Sequence, residues 1–172
     1  MSAGRERCSP ERAKYGLKAL MHLAHLPPGQ FEFVSEIAIA NNIPKKFLDA
    51  ILGELRNAGF VHSRKGKDGG YRLAKPASEI KVGHVIRVLD GPLAPIPCAS
   101  QTSYQRCEDC DEATCQVRHV MLEVRQAVAT VLDNRSLAEM RDAAMTTWRR
   151  CCCVRRADQS SPVSSICSIR RI

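Results

Sequence analysis

Apolar residues recur at helical spacing along most of this chain and give way to short alternating runs in one stretch. Tyr15, Leu17, Leu20, Met21, Leu23 and Ala24 form the stripe of a first helix, which Pro27-Pro28-Gly29 stops. Ile37, Ala38 and Ile39 fall in a short second helix over 35–42, where Asn41-Asn42 ends it ahead of Ile43-Pro44. Pro44 suits the first position of a third helix. In that helix Phe47, Leu48, Ile51, Leu52 and Leu55 stand at i, i+1, i+4, i+5 and i+8 on a core face, and Gly59 closes it. Residues 60–64 and 71–73 read as two short strands around Lys65-Gly66-Lys67-Asp68-Gly69-Gly70, a loop that turns and carries positive charge. Beyond Pro76, the spacing of Val82, Val85, Ile86 and Leu89 predicts a fourth helix that stops at Gly91.

The periodicity then disappears. Residues 92–114 hold Pro92, Pro95 and Pro97 without any helical or strand pattern, and with Cys115 just beyond they gather four cysteines. Unpatterned stretches beyond about 12 to 15 residues are uncommon in compact domains, so something other than apolar packing is expected to order this one. Helical spacing returns at Val117, Val120, Met121, Val124, Val128, Val131 and Leu132, a seam advancing alternately by three and four. The unit before it is too small to cover so long a seam, and self-association along it is expected. A shorter helix is predicted over 136–149. The mixture of Cys, Arg and Ser over 151–172 has no period and reads as a mobile tail.

The expected architecture is mainly α with a small β-hairpin wing. A winged helix-turn-helix domain covers 10–91, a cysteine-rich loop 92–114, a dimerisation helix with its following helix 115–150, and a tail 151–172.

Length and charge narrow the roles. The 172 residues suffice for one compact domain with an appended helix. Twenty-six Lys and Arg against eighteen Asp and Glu leave a net charge of +8, which favours a polyanion such as DNA or an anionic membrane surface. No apolar run approaches the roughly 20 residues that span a bilayer, and 1–10 has no signal-like core. A cytoplasmic protein with no membrane partner is expected. Nine cysteines in that compartment stay reduced and point to metal or redox chemistry rather than to disulfides.

A helix, a short helix, a tight turn, a third helix and a basic hairpin, in that order, describe a winged helix-turn-helix whose third helix enters the major groove of double-stranded DNA. With Phe47, Leu48 and Ile51 turned inward, the opposite face carries Lys45, Lys46, Asp49, Ala50, Gly53 and Arg56. Lys45 and Lys46, near the helix N-terminus, suit phosphate or guanine edges, and Asp49 suits cytosine N4. Arg64, Lys65, Lys67 and Arg72 charge the wing for phosphates or the minor groove, while Gly66, Gly69 and Gly70 permit close backbone approach. A phosphate-loop reading fails there, because no Lys-Ser/Thr follows and the next element is a strand.

Cys98, Cys107, Cys110 and Cys115 are spaced C-x8-C-x2-C-x4-C, unlike paired CxxC zinc knuckles. Several thiolates in one short segment favour an iron–sulfur cluster, with zinc as the alternative. Glu108, Asp109, Asp111 and Glu112 surround the central cysteines and are expected to disfavour a free, reactive thiolate. No His or carboxylate is spaced as a base for a catalytic thiol, so an enzyme is not expected. His119, one turn into the seam helix, is a weaker ligand candidate. Cys8, Cys151, Cys152, Cys153 and Cys167 fall outside the pattern; three consecutive cysteines cannot easily aim all their sulfurs at one tetrahedral ion.

Over about residues 13–140 the chain resembles the IscR, NsrR and RirA type of bacterial winged-helix iron–sulfur transcriptional regulators. The likeness rests on Lys14-Tyr15-Gly16-Leu17, Ser35-Glu36-Ile37-Ala38, Phe47-Leu48 with Leu52 and Leu55, and above all Arg64-Lys65-Gly66-Lys67-Asp68-Gly69-Gly70-Tyr71-Arg72-Leu73 followed by Ile80-Lys81-Val82-Gly83. It implies a homodimer joined through the helix around 115–133, with a cluster near the start of that helix and DNA affinity that depends on cluster state. It also implies that Lys46, Asp49 and Ala50 face bases and that Arg64 enters the minor groove. The family's first ligand matches Cys98 and its last Cys115. The middle ligand falls to Cys107 or Cys110, with Cys107 preferred and Cys110 then a candidate fourth, and the cluster is 2Fe–2S or 4Fe–4S. The resulting expectation is a transcriptional regulator whose cluster orders the 92–114 loop against the seam helix and so sets the spacing of two recognition helices. A structural zinc site or a thiol switch is the rival.

Overall fold

The computed structural model describes residues 11–66 and 69–143. Lys67, the tail expected over 151–172, the end of the helix expected over 136–149 and the five cysteines outside the C-x8-C-x2-C-x4-C pattern lie outside the described residues.

Four helices and a hairpin enclose one apolar core. Helix α1 (Glu11–His25) buries Ala19, Leu20 and Leu23 along its inner face. Helix α2 (Val34–Asn41) begins where the Glu36 carboxylate accepts from the Phe33 N–H at 3.3 Å. It ends at Asn42, which adopts the left-handed conformation at φ 52°. Helix α3 (Lys45–Asn57) follows Pro44, which stands at the N-cap rather than at the expected first helical position. The extended ψ of Pro44, 124°, lets its carbonyl accept from Phe47 and Leu48 while the residue itself stays outside the helix.

Leu48, Ile51, Leu52 and Leu55 of α3 are buried as their spacing predicts, but Phe47 is not. It is 57% exposed. The four buried positions centre the core face, and at 3.6 residues per turn Phe47 lies roughly 90° from that centre, on the flank of the helix. Burial of each large aliphatic side chain here contributes about 1.5–3 kcal/mol, so this face locks α3 to α1, α2 and α4.

Strands β1 (Val61–Arg64) and β2 (Gly70–Leu73) pair antiparallel, with Val61 opposite Leu73 and Arg64 opposite Gly70. Phe60, expected in β1, instead donates its N–H to Leu55 at 2.9 Å and closes α3. A third short segment joins the hairpin: Glu32 and Tyr71 exchange N–H···O bonds of 3.0 and 2.8 Å. Gly70 sits at φ 129°, pressed on the Glu32 backbone where no Cβ would fit.

Helix α4 (Val82–Leu89) buries Val82, Val85 and Leu89. The next stretch is irregular as expected, save for a single 3-10 turn at Pro97–Ala99. Cys115 then caps helix α5 (Gln116–Asn134), and helical turns from 137 run to the last described residue. The C-terminal end of α5 is stitched back to the start of α4: the Val82 N–H donates to Arg135 at 2.9 Å, the Leu137 N–H to Ile80 at 3.0 Å, and Leu137 is fully buried in the core.

Candidate nucleic-acid interface and cysteine centre

The side chains expected to read DNA sit on one helix face and one hairpin. Lys45, Lys46, Asp49, Ala50 and Arg56 of α3 are exposed, as are Arg64 and Lys65 at the end of β1. The α3 scaffold is held from behind by Arg12, whose guanidinium donates to both oxygens of Glu54. Arg72 is placed differently from Arg64 and Lys65. It is half-buried, its guanidinium lies 5.0 Å over the Phe31 ring, and its Nε is enclosed without an acceptor.

The four cysteines approach one another along the loop. Cys98 is buried in the 3-10 turn, and Cys107, Cys110 and Cys115 are half-buried. The neighbouring thiols of Cys107 and Cys115, together with burial, push the Cys110 pKa up to about 12. Burial, and then the charge of nearby Cys107, raise the Cys98 thiol. Cys115 goes the other way: it accepts from the Arg118 N–H at 3.4 Å, and that N-cap bond, followed by the Cys110 thiol, lowers its pKa. The expectation that the acidic neighbours disfavour a thiolate concerned the central cysteines; the charge of Glu112 does act in that direction on Cys98.

Those neighbours are already engaged. The Tyr104 hydroxyl donates to both Glu112 oxygens at 2.7 and 2.6 Å, lowering the Glu112 carboxyl and raising Tyr104. Glu112 also accepts from the Cys107 N–H at 3.2 Å, and Asp109 accepts from the Cys107 thiol at 2.9 Å.

Among the described residues no group of three or more His, Cys, Asp or Glu already holds metal-binding geometry. The donor set nevertheless fits an iron–sulfur or zinc centre by its chemistry: four soft sulfurs within one short segment, the last of them at a helix N-terminus where the Arg118 N–H lowers its pKa. The His119 ring Nε2 lies 3.2 Å from the Ala113 carbonyl.

Two side chains that the spacing did not single out tie this centre to the rest. Arg118 donates from Nε to the Cys98 carbonyl at 3.1 Å and lies 3.9 Å from Glu112, bracketing the first and last cysteines. Arg87 of α4 grips Asp133 of α5 through two bonds of 2.6 and 2.7 Å, and Gly83 leaves the room, since a Cβ there would strike the Asp133 carboxylate. A signal was present: Arg118 is a cation in a first helical turn and Asp133 a carboxylate in a last one, each opposed to the helix dipole unless a tertiary partner holds it.

The outward face of α5 carries the valine seam. Val117, Val120, Val124 and Val131 are 62, 53, 41 and 60% exposed, and no α5 side chain is buried among the described residues.

A helix-turn-helix with a basic hairpin, an exposed charged third helix and a net charge of +8 define a winged-helix DNA-binding regulator. Comparison identifies the particular family. Residues 10–143 match Rrf2, described as an iron-dependent transcriptional regulator, and the chain belongs to that family. It is 41% identical over 134 residues to a Rhodobacter capsulatus protein described as an HTH-type transcriptional regulator, rrf2-like, covering 76% of this chain and 89% of that one. CymR (YrzC), the global cysteine regulator of B. subtilis, matches with a TM-score of 0.63 and 30% identity over 83% of this chain and 98% of its own. T. potens IscR shares the fold, with a TM-score of 0.60 and 24% identity over 94% and 95%. Members of the family are transcriptional regulators rather than enzymes; they bind DNA and typically dimerise. Among the described residues no helix is long and apolar enough to cross a membrane.

Proposed function

We propose that this chain is a homodimeric regulator whose operator affinity is set by an iron–sulfur cluster on Cys98, Cys107 and Cys115, with Cys110 as the fourth ligand. The observation that carries this reading is the set of four free cysteines over 98–115 in an otherwise irregular segment that ends at the N-cap of α5, a helix whose other end is stitched to the DNA-reading head. A bound cluster supplies iron–thiolate bonds whose formation and loss answer to iron supply, oxygen or nitric oxide. Arg118 then holds the Cys98 and Cys115 segments together, and Arg87 with Asp133 passes the position of α5 to α4. Lys45, Lys46, Asp49, Ala50 and Arg56 meet the major groove, Arg64, Lys65 and Lys67 the wing's side of the duplex, and Arg72 steadies the wing from its place on Phe31. Val117, Val120, Val124, Val128 and Val131 meet their copies in the dimer.

The test is anaerobic purification of the full chain, visible absorption with iron and sulfide analysis, and DNA affinity before and after chelation. A coloured protein whose affinity changes tenfold or more, about 1.4 kcal/mol, is expected. Cys98→Ala should abolish the colour without unfolding the head, and Arg64→Ala should weaken DNA binding with the colour kept. Equal affinity with and without the cluster, or a colourless zinc protein, overturns the reading.

The lowered Cys115 pKa favours a second reading, a thiol switch in which a peroxide takes two electrons from Cys110 and Cys115 and leaves them disulfide-bonded. Recovery of that disulfide from peroxide-treated, metal-free protein, together with a change in its DNA affinity, would support this switch over the cluster.

A further inference from the structure

Phe47 is the one large apolar side chain of α3 that the core does not take up. It is 57% exposed and is not among the partly buried apolar residues packed against the core. It follows Lys46 directly and stands one turn before Ala50, which is also exposed. Phe47 and Ala50, at i and i+3, therefore make a short apolar strip beside Lys46 and Asp49. A merely solvated helix face has no use for a ring there, and α3 packs chiefly on α1, α2, α4 and β1 rather than on the α5 seam.

The major groove offers one apolar group on a base edge, the 5-methyl of thymine; every other feature there is a hydrogen-bond donor or acceptor. We propose that Phe47, with Ala50 beside it, reads thymine in the operator through its 5-methyl group. Lys46 and Asp49 supply the polar half of the readout. The inference rests on α3 being the groove-entering helix, as set out under the proposed function.

Uracil keeps every hydrogen-bonding group of thymine and lacks only the methyl, which isolates the contact. The full chain selects its preferred duplex from a randomised library, and each thymine of that duplex is then replaced singly by uracil. Wild-type affinity should fall about fourfold for each methyl contacted, the worth of one buried methyl group. Phe47→Ala should bind thymine and uracil duplexes alike at those positions, with an unchanged thermal melt because the ring is outside the core. Phe47→Leu, which keeps an apolar side chain, should retain part of the discrimination. Wild-type binding to every uracil duplex within about twofold of the parent overturns the proposal, as does an undiminished uracil penalty in Phe47→Ala. A chain that enriches no duplex from the library defeats the DNA-reading role of α3 itself, an outcome distinct from duplex binding that ignores the methyl.

Discussion

Helices α3 and α5 solve the same problem in opposite ways. The 13 residues of α3 bury four Leu and Ile side chains at 0 to 2% exposure. The 19 residues of α5 bury none among the described residues, and four of its valines stand open. The head is closed by an apolar core, to which Leu137 from beyond α5 adds one side chain. The cysteine loop and α5 are held by polar clamps: Arg118 on the Cys98 carbonyl, Tyr104 on Glu112, and Arg87 on Asp133. Core side chains contribute about 1.5–3 kcal/mol each, while exposed or half-exposed ion pairs contribute about 0–1 kcal/mol, so the two regions differ in how firmly they are set. On the proposed function, the polar-clamped region is the one assigned to sensing and the cored head the one assigned to reading.

Mutations can break that contrast at graded cost. The largest effect is expected at Leu52, where Leu52→Ala opens the centre of the head's core and should lower unfolding free energy by about 3–5 kcal/mol in urea titration. A cost near zero would mean that the head is not held by this core. Next, Val120→Glu with Val124→Glu places carboxylates on the open seam. Light scattering should then show a dimer dissociation constant raised about a hundredfold, roughly 2.7 kcal/mol, with the head's melt unchanged. A variant that stays dimeric would move the interface elsewhere.

The smallest effect is expected at Asp133, whose removal as Asp133→Asn should cost about 1 kcal/mol because the pair is partly exposed. The Arg87 guanidinium holds the Asp133 carboxyl below its ordinary value. Its contribution is therefore complete above the usual carboxylate range and is lost as pH falls through the depressed value. Urea midpoints measured into acid should show that increment disappear in the wild type, and Asp133→Asn should have no such increment to lose. An identical acid profile in both proteins would deny the pair any part in joining α4 to α5.

Much of the head was legible because its helices are amphipathic and its turns carry their own chemistry. The spacing of Leu48, Ile51, Leu52 and Leu55, the left-handed Asn42 and the glycine-rich hairpin are local signals, and each element formed within a residue or two of its expected place. Phe47 escaped that reading because one hydrophobic residue on a helix flank satisfies the pattern without saying which way the flank faces. The stacking of Arg72 on Phe31 was not legible either, because charge alone does not say what a guanidinium packs against. The partners of the acidic residues were not legible for a similar reason: Glu112 and Asp109 are adjacent in sequence to the thiols, and only the folded loop shows their carboxylates accepting from Tyr104, from the Cys107 thiol and from the backbone.

By itself the order of amino acids determined the order and kind of the main described helices, the core face of most of them, the wing and the sequence spacing of the four cysteines, since each depends on neighbours a few positions apart. Only the tertiary structure decided that Arg118 spans Cys98 and Glu112, that Arg87 meets Asp133 across 46 positions, and that the Cys115 sulfur accepts from the Arg118 N–H, which lowers its pKa. Those contacts join groups distant along the chain or depend on how a helix end is capped, and local periodicity carries no record of either.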